Sequence, residues 1–93
     1  MLQVNEYFDG QAKSISFQTS TLPATVGVIS PGEYEFGTSK KETMTVISGV
    51  LTVLLPGMEE WMTYGSGEFF EVAGQASFKA RTDIDTAYLC TYE

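Results

Sequence analysis

Residues 32–49 read GEYEFGTSKKETMTVISG. Glu33 and Glu35 alternate with Tyr34 and Phe36; further on, Met44 and Val46 alternate with Thr43, Thr45 and Ile47. A period of two puts successive side chains on opposite faces, so both halves read as β-strands with one buried face. The polar TSKK between them reads as a connection. Ser48-Gly49 supplies a glycine where a tight turn can demand a positive φ. It predicts a hairpin in which ETMTVI (42–47) pairs directly with VLTVLL (50–55). The second of these is nearly all apolar and is expected to be covered on both sides.

The same pattern extends in both directions. KSISFQTS, TVGVIS, EFFEV, ASFKART and TAYLCTY are short segments rich in β-branched and aromatic residues. Asp9-Gly10, Pro31-Gly32, Pro56-Gly57, Gly65-Ser66-Gly67 and Ala73-Gly74 separate them. No window sustains a helical period; a short helix or 3₁₀ turn is expected at most around GMEEW (57–61). Many short strands at even spacing predict an all-β fold, a sandwich or barrel, built as one domain over residues 1–93.

With 43% hydrophobic residues, 93 residues can form one core, but a chain this short buries a modest fraction of its surface. A homodimer is expected on that ground. Twelve acidic against five basic residues give a net charge of −7, which argues against nucleic acid as a partner. One or two placed cations still suffice for a small anionic substrate. A single cysteine, Cys90, excludes an internal disulfide and suits a reducing cytoplasm. Within AYLCTY it reads as a small buried residue. The N-terminus has no signal-peptide pattern, and no stretch approaches the roughly 18 apolar residues of a membrane span. A soluble cytoplasmic protein is the expectation.

The stretch 32–49 also resembles the first motif of the cupins. That motif runs Gly, five residues, His-x-His, a short gap, Glu, six residues, Gly. Here Gly32 is followed by five residues; Thr38 and Lys40 then stand where the histidines would be, and Glu42 and Gly49 keep their spacing. The second motif is echoed from Gly67, with Phe78 at its histidine position. The chain contains no histidine at all. The resemblance therefore implies a cupin-like β-barrel of jelly-roll type without the usual metal ligands. MLQVNEYFDG, ETMTVISG, VLLPG and TAYLCTYE together resemble a narrower group, the pyrimidine/purine nucleoside phosphorylases, over nearly the whole chain. That resemblance implies phosphorolysis of purine or pyrimidine nucleosides to free base and α-D-ribose 1-phosphate. Inorganic phosphate is then the co-substrate, with no metal or other cofactor.

Phosphorolysis at an anomeric carbon develops oxocarbenium character. It calls for a carboxylate near the sugar, a holder for phosphate and a hydrogen-bond donor for the leaving base. Glu42, expected to point inward among Tyr34, Phe36 and Met44, is the candidate catalytic carboxylate, with its pKa raised by burial. Thr38, Lys40 and Arg81 are the candidate ligands for phosphate or sugar, although an inward Phe78 turns Lys79 and Arg81 to the other face unless a bulge intervenes. Tyr34, Phe78 and Tyr88 are candidates for stacking on the base, with Phe36 beside them. Trp61 is assigned to a loop anchor or a dimer contact. A non-catalytic cupin that binds a small sugar or nucleotide is the alternative function.

Overall fold

Alternation along the chain resolves into strands in a computed structural model that describes residues 2–93. In order they are β1 (Gln3–Tyr7), β2 (Ala12–Gln18), β3 (Pro23–Ile29), β4 (Gly32–Thr38), β5 (Glu42–Ser48), β6 (Val50–Leu54), β7 (Met62–Gly65), β8 (Phe69–Val72), β9 (Ala76–Thr82) and β10 (Thr86–Tyr92). They form two antiparallel sheets. The first has the order β1-β2-β3-β10-β5-β8 and the second β4-β9-β6-β7. The all-β, jelly-roll-like expectation holds, but as two facing sheets that hydrogen bonds do not close into a ring. Ile29, Met44, Val46, Leu51, Val53, Phe70, Val72, Phe78 and Ala80 fill the space between the sheets.

The expected hairpin at Ser48-Gly49 does not form. β5 pairs with β10 and β8, whereas β6 pairs with β7 and β9. Gly49 instead marks the step of the chain from one sheet to the other. Its φ is +101°, and a Cβ there would lie 2.6 Å from the Oγ1 of buried Thr86. That hydroxyl bonds the carbonyl of Val50 at 3.0 Å and so ties the corner to the start of β10. Nor is β6 covered on both sides: Leu51 and Val53 are buried, while Val50 is exposed and Thr52 and Leu54 are half-buried. Residues 57–61 form turns and bends rather than a helix. The single turn of 3₁₀ among the described residues lies at Phe8–Gly10, where Phe8 and Asp9 both have positive φ. Among the described residues, no helix is long and apolar enough to cross a membrane.

Candidate active site

β10 shows how the sequence builds the site. Its period of two turns Tyr88, Cys90 and Tyr92 toward the second sheet, and Leu89 and Thr91 away from it. On the neighbouring β5, Glu42 and Met44 face the same way, opposite Tyr92 and Cys90 in register. Ser14 of β2 and Thr25 of β3 extend this polar wall. Phe36 of β4 and Phe78 of β9 face it from the second sheet, stacked with ring centroids 5.5 Å apart. Between them lies a cavity of about 220 Å³, with Tyr7 and Phe8 at its mouth. Phe8 packs on Tyr34 and Phe36 at 4.9 and 5.5 Å, so the strained 3₁₀ turn holds an aromatic cap over the rim.

Glu42 receives one hydrogen bond, from the Cys90 thiol to Oε1 at 3.3 Å. Among the described residues the ion pairs are those of Lys41 with Glu71 (2.9 Å) and Glu93 (3.9 Å), so no cation neutralises Glu42. Burial pushes its carboxyl above the usual range, and the thiol hydrogen bond partly opposes that shift. Burial also pushes the Tyr88 phenol up to about 12, with the Cys90 side chain adding to it. The Cys90 thiol is raised in turn, first by burial and then by Glu42; this is an uncharged hydrogen-bond donor and not a nucleophile. Tyr92 is raised by burial, and its hydroxyl meets that of Thr25 at 3.0 Å. The Tyr88 hydroxyl has no side-chain or backbone hydrogen-bond partner among the described residues and lines the cavity. It lies over Gly27, where a Cβ would come within 2.5 Å of it.

Of the residues singled out in the sequence, Glu42, Phe78 and Tyr88 meet in this cavity, with Phe36 beside them. Tyr34 is buried next to it, its hydroxyl donating to the Ser30 carbonyl at 2.8 Å. The Thr38 hydroxyl clamps the turn before β9, donating to Ala73 O at 2.7 Å and accepting from Ala76 N at 3.0 Å. Lys40 is exposed on the connection between β4 and β5. Arg81 lies on the outer face of the second sheet, its guanidinium 4.2 Å from the ring centroid of Trp61. Trp61 is thus an anchor for that arginine. The sequence alone did not single out Tyr92, Ser14, Thr25, Tyr7 or Phe8 as site residues. The alternation of TAYLCTY already placed Tyr92 on the same face as Tyr88; the others needed the sheet order. The donor set does not fit the metal of histidine-bearing cupins. At the equivalent positions a committed threonine hydroxyl, an ammonium group and a phenyl ring replace imidazole nitrogens. No group of three or more Cys, Asp or Glu side chains converges elsewhere among the described residues.

The two-sheet sandwich, with a half-buried carboxyl group between its sheets, has a cupin-like fold. The fold is shared with an RmlC-like cupin from Shewanella frigidimarina, which aligns with a TM-score of 0.76 at 17% identity over 98% of this chain and 82% of that one. A Vibrio parahaemolyticus protein of unknown function aligns far more closely, with a TM-score of 0.96 and 45% identity over 100% of this chain and 99% of that one. The family model for pyrimidine/purine nucleoside phosphorylase matches residues 2–92, and the chain belongs to that family. Curated relatives bearing the name are 78% identical in Marinobacter nauticus and 61% in Magnetococcus marinus, each over 99% of both chains.

Proposed function

We propose that the chain catalyses phosphorolysis of nucleosides with tolerance of purine and pyrimidine bases. The bond from C1′ to the base nitrogen breaks, a phosphate oxygen bonds to C1′, and the base leaves with a proton. The observation that carries this reading is Glu42. It is a half-buried carboxyl with a raised pKa and no cation, facing an aromatic wall in a cavity of a phosphorylase-family chain. A carboxyl of that kind keeps its proton to a higher pH than an exposed carboxyl and can give it to the leaving base as the glycosidic bond stretches. Phe36 and Phe78 offer a face on which any base can stack, and stacking tolerates base identity. The Tyr88 phenol, neutral with its pKa near 12, is free to hydrogen-bond the ribose or base. The cavity is smaller than the roughly 300–1,000 Å³ of drug-sized sites. It therefore takes the base and leaves the ribose toward the mouth at Tyr7 and Phe8.

Among the described residues, no lysine or arginine lines the cavity. Lys40, two residues before Glu42 and without an ion-pair partner among the described residues, is the phosphate ligand in this reading. Arg81, on the far face of the second sheet, supports phosphate binding less well. The decisive experiment incubates purified protein with mixed nucleosides, with and without phosphate, and measures free base and ribose 1-phosphate. Base release that requires phosphate, persists in chelator and falls in Lys40→Ala is expected. Nucleoside binding without phosphate-dependent release would instead favour a ligand-binding cupin.

A further inference from the structure

The inner face of the first sheet carries a row of neutral polar groups that the chemistry at Glu42 leaves unused. Asn5 of β1, Ser14 of β2, Gly27 of β3 and Tyr88 of β10 stand in register across it. Ser14 is 5% exposed and Tyr88 7%, and both line the cavity. The carbonyl end of the Asn5 amide accepts from Gln3 Nε2 at 3.1 Å. Its amino end donates to Ser14 Oγ at 3.2 Å and to Ser16 Oγ at 2.9 Å. Because the Ser14 oxygen already accepts, its own proton turns away from Asn5, and that proton has no acceptor among the described residues. The Tyr88 hydroxyl has no partner there either. A buried hydroxyl ordinarily finds one, so two neighbouring hydroxyls with bonding capacity to spare mark a place for a ligand. They can reach the same ligand. The Tyr88 ring lies across Gly27, the residue opposite Ser14, and directly opposed Cβ positions are only about 5 Å apart.

We propose that Ser14 and Tyr88, with Asn5 as the positioning residue behind Ser14, form a ribose subsite that reads the 2′ and 3′ hydroxyls of the sugar. This rests on the nucleoside reading above and adds the part of the substrate that hydrogen bonds recognise. Purines and pyrimidines present different donors and acceptors at their edges. A site tolerant of both gains nothing from directional contacts to the base, and ribose is what these substrates share. Phe36 and Phe78 already supply a contact indifferent to base identity. The chemistry of the row matches a diol. Each sugar hydroxyl both donates and accepts; Ser14 offers a donor fixed by Asn5, and Tyr88 a hydroxyl that takes either role. The row is uncharged, and the charged groups that line the cavity, Glu35 and Glu42, are acidic, so the row suits a neutral sugar and not a phosphate. Its position also matches. Tyr7 lies two residues beyond Asn5 on the same face of β1, which sets the row beside the mouth, where the ribose is placed.

Titration without phosphate, followed by NMR of the native protein, measures binding apart from turnover. The affinity for uridine is expected to exceed that for 2′,3′-dideoxyuridine about 10-fold, the worth of two neutral hydrogen bonds. Inosine is expected to exceed 2′,3′-dideoxyinosine by a similar factor. Ser14→Ala and Tyr88→Phe are each expected to weaken uridine several-fold and to leave dideoxyuridine and free uracil within about two-fold of native. Asn5→Ala is expected to do the same to a smaller degree, and Ser14→Thr, which keeps the hydroxyl, to stay near native. A merely structural role would weaken all three ligands together. Folded variants that weaken uridine and dideoxyuridine equally overturn the proposal. So does a native protein that does not discriminate between them, or a selective loss of uracil binding, which would assign the row to the base. Should a variant fail to fold by circular dichroism, the native ratios still decide. Diol-dependent binding without phosphate-dependent base release would retire the phosphorylase reading and keep the subsite. Base release without diol dependence would do the reverse, and a protein that binds neither nucleoside loses both.

Discussion

At the scale of a residue, Glu42 combines two demands. Its folded pKa lies above its unfolded value, so between the two the native state binds more protons and stability falls as pH rises. Replacing it with Gln removes a carboxylate that burial penalises. Glu42→Gln is therefore expected to unfold at higher temperature than the native protein near neutral pH, the advantage vanishing below the unfolded pKa. The same variant is expected to lose about 10²–10⁴-fold in kcat, the usual worth of a general acid. Normal turnover would remove Glu42 from the mechanism. Cys90 offers a finer test, because its thiol hydrogen bond lowers the Glu42 pKa. Cys90→Ala is expected to move the alkaline limb of the kcat profile to higher pH, whereas Cys90→Ser, which keeps a donor, leaves it close to native. Glu42 was legible in the sequence because it occupies a motif position within an alternating strand. Thr38 and Tyr34 were legible as inward residues, but not as residues whose hydroxyls are already committed to backbone carbonyls. The partners of Thr38 lie far along the chain, at Ala73 and Ala76, whereas that of Tyr34 is Ser30, four residues earlier, brought to it by the turn before β4.

At the scale of the element, strands were readable and their partners were not. β5 and β6 both appear in the sequence with clear ends at Gly49, yet they lie in different sheets. A glycine with positive φ serves a hairpin and a sheet-to-sheet step equally well; what separates them is Thr86, on a strand more than thirty residues later. Gly49→Ala is accordingly expected to cost about 1–3 kcal/mol in chemical denaturation, from the unfavourable φ together with the Thr86 contact. Gly27 makes the contrasting case. Its neighbour is the outer part of the Tyr88 ring, a side chain that borders the cavity rather than backbone. Gly27→Ala is expected to fold with near-native stability and to lose activity through displacement of the phenol. Loss of stability equal to that of Gly49→Ala would show that Tyr88 is fixed by packing instead.

At the scale of the whole molecule, sequence periodicity sufficed for an all-β fold, sandwich or barrel, and composition for one small core. Neither showed that the outer face of the first sheet would be apolar while that of the second carries Glu33, Glu35, Lys79 and Arg81. Strand alternation separates inside from outside within each sheet, but only the strand order assembles Val4, Ile15, Val26, Leu89, Thr45 and Phe69 into one row. The homodimer expected from the small size of the chain is tested by thermal unfolding across a hundred-fold range of protein concentration, with a Tm that rises with concentration as the expected outcome. A constant Tm would indicate that the chain is stable alone.

β10 carries the strongest constraint on how this chain can vary. Three of its residues line the cavity, and the residues between them belong to the apolar outer row and its margin. Inserting or deleting a single residue just before it would invert the strand, turning Leu89 and Thr91 inward and Tyr88, Cys90 and Tyr92 out to solvent. Catalytic and surface properties would be lost in one genetic step. Tolerated length changes should therefore gather in the connection at residues 55–61, which can lengthen without reversing any strand, and stay rare in the short turn between β9 and β10.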